Sequence, residues 1–194
     1  MSHTLPMRIM VIGTSGSGKT SMGKQLAQAL GYQHIEMDSL YWGPNWQAVP
    51  PEVFKSAVDK ATTGPCWVAD GNYSAVRDVL WPRATHVVWL NFGRMTVLRR
   101  IVWRTLSRAI TRERLFSGNR ESLRMSLLSK ESVILWSMQT WHKNRLRYSL
   151  LRNDPAYAHL HWTELCNPKH TQAIVAALTS AAVASTPPDD KEHL

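Results

Sequence analysis

The sequence predicts an α/β fold: a parallel sheet with helices on both faces. Two observations carry this. Short apolar runs of strand length alternate with longer stretches of helical period along most of the 194 residues, which implies βαβ units. The first of these runs, Met7-Arg8-Ile9-Met10-Val11-Ile12, leads through a glycine-rich stretch directly into an amphipathic segment.

In chain order, residues 7–12 read as a buried strand. Residues 21–30 follow as a helix, with Met22, Leu26, Ala29 and Leu30 at helical spacing and Gly31 ending it. Residues 33–37 form a second strand that ends at Asp38. Residues 39–51 are irregular and rich in aromatics: Tyr41, Trp42 and Trp46. Pro51 starts a helix to about residue 63, proline being suited to the first turn. A third strand covers 66–70, the Gly71-Asn72 pair marks a turn, and 73–80 make a short helix ended by Pro82.

Residues 86–92 are the clearest strand by β-branched and aromatic content. Residues 95–109 are helical: Met95, Leu98, Val102 and Leu106 make an apolar stripe, and Arg100, Arg104 and Arg108 line another face. Residues 111–119 have no clean period and read as a loop. Residues 120–151 read as one long helix or two meeting at a bend, with Leu127, Ile134, Trp141 and Tyr148 recurring every seven residues. A last strand spans 157–162, and Asn167-Pro168 opens an Ala-rich helix to about residue 183. One domain over 1–183 and a disordered tail over 184–194 complete the expectation.

The motif at the first strand is Gly13-Thr14-Ser15-Gly16-Ser17-Gly18-Lys19-Thr20, a Walker A phosphate loop. Its glycines let the backbone close on a phosphate, and successive N–H groups form an anion-binding hollow. Lys19 puts a cation on the β/γ-phosphates of a nucleotide, Thr20 supplies a hydroxyl for Mg²⁺, and Ser21 continues the cradle into the helix. The positive end of that helix adds to the same field. ATP and Mg²⁺ are the ligands this implies.

In a parallel α/β sheet the chemistry sits where strands end at their carboxyl edge. Asp38 is there, placed to take a proton from an acceptor hydroxyl, with Tyr41 and Trp42 to stack a ring or sugar. Asp70 would hold a Mg²⁺-bound water, and Asn72 and Tyr73 would face the acceptor. The eight histidines do not cluster, and His159 and His161 share a strand face with no third ligand.

Hydrophobic content of 44% and charged content of 19% suit a globular chain, and no apolar run has the length of a membrane span. Two cysteines, Cys66 and Cys166, are too few for a disulfide framework, so a cytoplasmic protein, monomer or homodimer, is expected. Net charge is +9, yet residues 94–152 alone hold 14 Lys and Arg against three acids, a balance of +11. That asymmetry points to an anionic partner.

With these residues in view, the chain resembles P-loop kinases of the nucleoside monophosphate kinase group. More narrowly it resembles small adenylate-kinase-related proteins labelled DNA topology modulation proteins. The residues that carry the likeness are Gly13 to Thr20, Asp38-Ser39-Leu40-Tyr41-Trp42, Asp70-Gly71-Asn72-Tyr73-Ser74, the arginines from Arg94 onward, and Thr163 to Leu165. The resemblance implies a three-layer fold with a five-stranded parallel sheet in order 2-3-1-4-5 and ATP as phosphoryl donor. It implies an arginine-bearing lid over about 104–125, in which Arg104 and Arg108 would hold the nucleotide and Arg112 and Arg120 would serve catalysis, with Arg114 between them. Thr163, near the loop after the last strand, would help hold the adenine. Such kinases place arginines after strands two and three; here residues 39–54 have none and position 74 is Ser, leaving Arg77 as the nearby cation for the acceptor. The acceptor is then a nucleotide or another small molecule. The alternative reading is an ATP-binding, nucleic-acid-binding or regulatory protein that uses the basic 94–152 segment.

Overall fold

Five strands form one sheet: β1 (Arg8–Gly13), β2 (Gln33–Glu36), β3 (Trp67–Asp70), β4 (His86–Leu90) and β5 (His161–Leu165). All neighbours are parallel, in the order β2-β3-β1-β4-β5, the order the resemblance implied. The structure is a computed structural model that describes residues 7–111 and 133–184. The helices are α1 (Lys19–Leu30), α2 (Met37–Tyr41), α3 (Pro51–Ala61), α4 (Arg77–Leu80), α5 (Arg94–Thr111), α6 (Val133–Arg152) and α7 (Thr171–Ala184).

Side chains alternate across a strand, so a central strand feeds two cores. Ile9 and Val11 of β1 pack with Met22 and Leu26 of α1, Val97 and Ile101 of α5, and Val175 and Leu178 of α7. Met10 and Ile12 face the opposite way, onto Phe54 and Val58 of α3 and Leu80 of α4. Helix α6 joins both layers. Trp141 lies in the first core and Tyr148 in the second, and between them the helix runs past the carboxyl end of the sheet. Among the described residues no helix is long and apolar enough to cross a membrane.

Two stretches differ from the sequence expectation. Met37 and Asp38 do not extend β2 but begin α2. Met37 is buried against Gly71, and the Ser39 hydroxyl donates to the Glu36 carbonyl at 2.6 Å, turning the chain there. The last strand begins four residues later than expected. Asp154 caps a 3₁₀ turn at Pro155–Tyr157, and Tyr157 packs edge-on against Trp81 with ring centres 4.7 Å apart. Tyr157 is therefore a packing residue ahead of the strand, not its start. The expected loop at 112–119, the helix over 120–132 and the tail at 185–194 lie outside the described residues.

Candidate active site

β1 delivers the chain to its carboxyl edge, and α1 starts six residues later. Between them the phosphate loop closes under two packing constraints. Gly16 has φ +80°, and a Cβ there would stand 2.1 Å from Ile101 Cγ1, so α5 leaves room only for a hydrogen. Gly18 has φ +94°, also left-handed, and is the N-cap of α1. The 12-residue helix therefore points its N-terminus into the site with no acidic residue in its first turn.

The loop borders an open cavity of about 930 Å³, lined by residues 15–22 together with Lys24, Gln25, Glu36, Asp38, Arg100 and Arg104. Pro168, Thr171 and Gln172 close its far wall. Lys19 carries a cation into this space. Desolvation by the surrounding loop pulls its pKa below the usual ammonium value, Arg104 pulls the same way, and the charges of Asp38 and Asp70 oppose both. Its amine lies 3.4 Å from the Thr14 carbonyl. A desolvated ammonium beside Arg100 and Arg104, under a helix N-terminus, is a setting that takes a polyphosphate.

Across from Lys19 lies Asp38, on α2. Its Oδ1 accepts a hydrogen bond from the Tyr73 hydroxyl at 2.6 Å. Burial and the adjacent Asp38 carboxylate push the Tyr73 pKa far up, so the phenol stays a donor. Tyr73 is held in turn by aromatic neighbours: Tyr41 at 4.6 Å and Phe54 at 4.9 Å between ring centres. Tyr41 and Trp42 belong to this cluster, 4.8 Å apart, and do not border the cavity. They support Tyr73 and Asp38, where direct stacking on an acceptor was expected.

Several other expected site residues sit elsewhere than the sequence placed them. Asp70 is buried behind the cavity wall, its Oδ1 3.3 Å from His34 Nε2, close enough for attraction but off the hydrogen-bond angle. Besides Asp38, the carboxylate that reaches the wall is Glu36, which the sequence reading passed over. Burial raises its pKa, the neighbouring Asp70 adds to the rise, and a hydrogen bond with Thr20 acts against it. Asn72 does not face the cavity either; its amide turns back on Gly13, taking a bond from the Gly13 N–H at 3.3 Å and giving one to the Gly13 carbonyl. Thr163 is mid-strand, paired with Val88, so the far wall falls to Pro168, Thr171 and Gln172 instead. Arg77 lies over the Trp81 ring at 5.4 Å and borders a separate small cleft of about 10 Å³ with Asn72, Tyr73 and Tyr148. Arg104 is on the cavity wall. Arg112, Arg114, Arg120 and most of the expected lid lie outside the described residues, as does the Arg108 side chain.

Arg100, read from the sequence as part of an arginine face but given no site role, also borders the cavity. It donates to the Ser17 carbonyl at 2.6 Å and stacks over Phe92 at 4.8 Å. Its spacing four residues before Arg104 was the available signal. For Glu36 the signal was its place two residues before Asp38, at the end of a strand.

The residues present fit a nucleotide and Mg²⁺. Thr20 and Glu36, joined by a hydrogen bond, offer hard oxygen donors beside the phosphate loop. Among the described residues no three His, Cys, Asp or Glu gather as a resident metal cluster. Mg²⁺ needs none, since it binds through one or two carboxylates, waters and substrate phosphates.

Similarity to known proteins extends over the phosphate loop and the fold. Residues 15–61, from the phosphate loop through α3, match the shikimate kinase family model. Shikimate kinases from Synechococcus elongatus and from a second Synechococcus strain are each 30% identical over 108 residues, covering 48% of this chain and 56% of theirs. The chain thus aligns with little more than half the length of these curated relatives. A solved structure of the shikimate kinase from Acinetobacter baumannii in complex with shikimate superimposes with a TM-score of 0.56 at 20% identity, covering 93% of this chain and 94% of that one. The fold is therefore that of a P-loop kinase.

Proposed function

We propose that the chain is an ATP- and Mg²⁺-dependent phosphotransferase acting on a hydroxyl group of a small acceptor. One observation carries the reading: the phosphate-loop ammonium of Lys19 and the tyrosine-held carboxylate of Asp38 face a single cavity. A phosphate acceptor needs no base; an alcohol benefits from one. The match to shikimate kinases, whose named substrate, shikimate, is an alcohol, points the same way.

In this reading Lys19, Arg100, Arg104 and the amides at the start of α1 would hold the triphosphate, and Thr20 with Glu36 would hold the metal. Mg²⁺ supplies charge neutralisation on the phosphate oxygens. Asp38 orients the acceptor hydroxyl and receives its proton as the acceptor oxygen bonds to the γ-phosphorus and the bond to the β–γ bridging oxygen breaks. Tyr73 keeps the carboxylate aimed. Most of the rate comes from positioning and charge, and little from covalent participation by the protein.

The test is an acceptor screen read by ADP formation, covering shikimate, other small polyols, nucleosides and nucleoside monophosphates. Turnover with an alcohol, lost in Asp38→Asn, is the expected result. A pure chain that gains no stability from MgATP and turns over no acceptor sinks the proposal.

A further inference from the structure

Three side chains outside the phosphate-loop motif touch its carbonyl oxygens in a regular pattern. Asn72, just after β3, donates to the Gly13 carbonyl. Ser137, on α6 and fully buried, donates to the Ser15 carbonyl at 2.8 Å. Arg100, on α5, donates to the Ser17 carbonyl at 2.6 Å. The donors come from three separate elements, yet they fall on residues 13, 15 and 17, every second peptide group of the loop.

A trans peptide is planar, so its N–H points opposite to its C=O. Fixing the carbonyls of Gly13, Ser15 and Ser17 on these donors therefore fixes the N–H groups of Thr14, Gly16 and Gly18 in the reverse sense, away from the donors. A donor on one end of a peptide group also polarises the other end and makes its N–H a stronger donor. The loop has a high share of glycine, whose backbone is otherwise the least constrained. Buried carbonyls need partners in any case; here each partner also settles which way an amide faces.

We propose that Asn72, Ser137 and Arg100 form a set of donors that fixes the aim of the phosphate-loop amides, and that nucleotide affinity depends on these residues from outside the motif. Arg100 also borders the cavity and would meet a phosphate directly. Asn72 and Ser137 do not border it, which makes them positioning residues. Their neighbours on α6 strengthen the arrangement: Trp141 Nε1 donates to the Phe92 carbonyl at 3.1 Å, and the Asn144 amide lies 3.5 Å from Thr14 Oγ1. Residues 137, 141 and 144 share one helix face, so α6 holds the loop and the end of the neighbouring chain segment together.

The inference rests on the nucleotide half of the proposed function and not on the acceptor. Its test is calorimetric titration of the full chain with MgADP, for wild type, Ser137→Ala and Asn72→Ala, at a temperature well below unfolding. Each variant should bind about three- to tenfold more weakly, the range expected for loss of one or two hydrogen bonds. A role in folding alone would not move the second readout: the backbone ¹⁵N resonance of Gly16 should shift in Ser137→Ala, and that of Thr14 in Asn72→Ala, each in the nucleotide-free protein. Folded variants that bind MgADP as tightly as wild type overturn the proposal while leaving the kinase reading intact. A wild-type chain that does not bind MgADP overturns both. If Asn72→Ala does not fold, Ser137→Ala decides alone, since it removes one oxygen atom from a buried helix position.

Discussion

The two walls of the cavity are built on different principles. The phosphate wall is main chain: residues 13–20 turn on glycine φ values, and neighbours clamp them from outside. The wall to which we assign the acceptor is side chain: Asp38 held by Tyr73, and Tyr73 held by Tyr41 and Phe54. A main-chain wall recognises what all nucleoside triphosphates share. A wall of stacked side chains can be re-cut by a few substitutions, so selectivity for the acceptor belongs there. The contrast teaches where the chain is interchangeable with other phosphate-loop proteins and where it is individual.

Substitutions on each wall would sharpen or break this division. The largest effect is expected from Asp38→Asn, which should cut kcat by about 10²–10⁴-fold, the usual contribution of a placed general base. MgADP affinity should hold within about twofold, since Asp38 serves the other wall; a large loss of nucleotide binding would erase the distinction between them. Lys19→Ala should lower kcat/KM by about 100-fold or more through lost charge stabilisation, and here MgADP binding should weaken as well. Tyr73→Phe keeps the ring packing and removes only the hydrogen bond to Asp38. A fall of about three- to tenfold in kcat with the loop untouched is the expected outcome, measured by steady-state rates beside MgADP titration.

The smallest effect concerns stability, away from both walls. His86, at the amino end of β4, lies beside His161 with ring centres 5.1 Å apart. Burial lowers its pKa, and His161 adds to the shift. The folded chain thus resists a proton that the unfolded chain accepts, so this contribution is complete above about pH 6.5 and is lost as pH falls below it. Thermal melts of wild type and His86→Phe between about pH 7.5 and 5.5 should show a smaller acid-side drop in the variant; equal drops would remove His86 as the cause.

The legibility of the molecule follows the same division. The parallel sheet and the phosphate loop were readable because local rules dictate them, whereas the order of the strands came only with the family resemblance. Alternating periods imply parallel crossovers, and a loop that wraps an anion needs glycine at set places. The acceptor side was only partly readable. Asp38 could be found from its place after a strand, yet Tyr41 and Trp42, which look like binding aromatics in one dimension, pack on one another and, through Tyr41, on Tyr73 in three. Glu36 was hidden because Met37 continues the alternation set by Ile35 and disguises the end of β2. Thr163 was misplaced because Tyr157, with high strand propensity, is used for packing on Trp81. Ser137 reaches Ser15 across 122 positions of sequence, and Arg100 reaches Ser17 across 83. No local pattern announces a contact at that range.

One further consequence comes from the course of α6. With Trp141 anchored in one core and Tyr148 in the other, this rod bolts the two halves of the sandwich to each other across the rim of the sheet. Neither half can melt without dragging on the other, which favours a single sharp denaturation over a stepwise one. The same bolt passes beside the nucleotide pocket, so the region that must grip its ligand is also tied to the most cooperative part of the molecule.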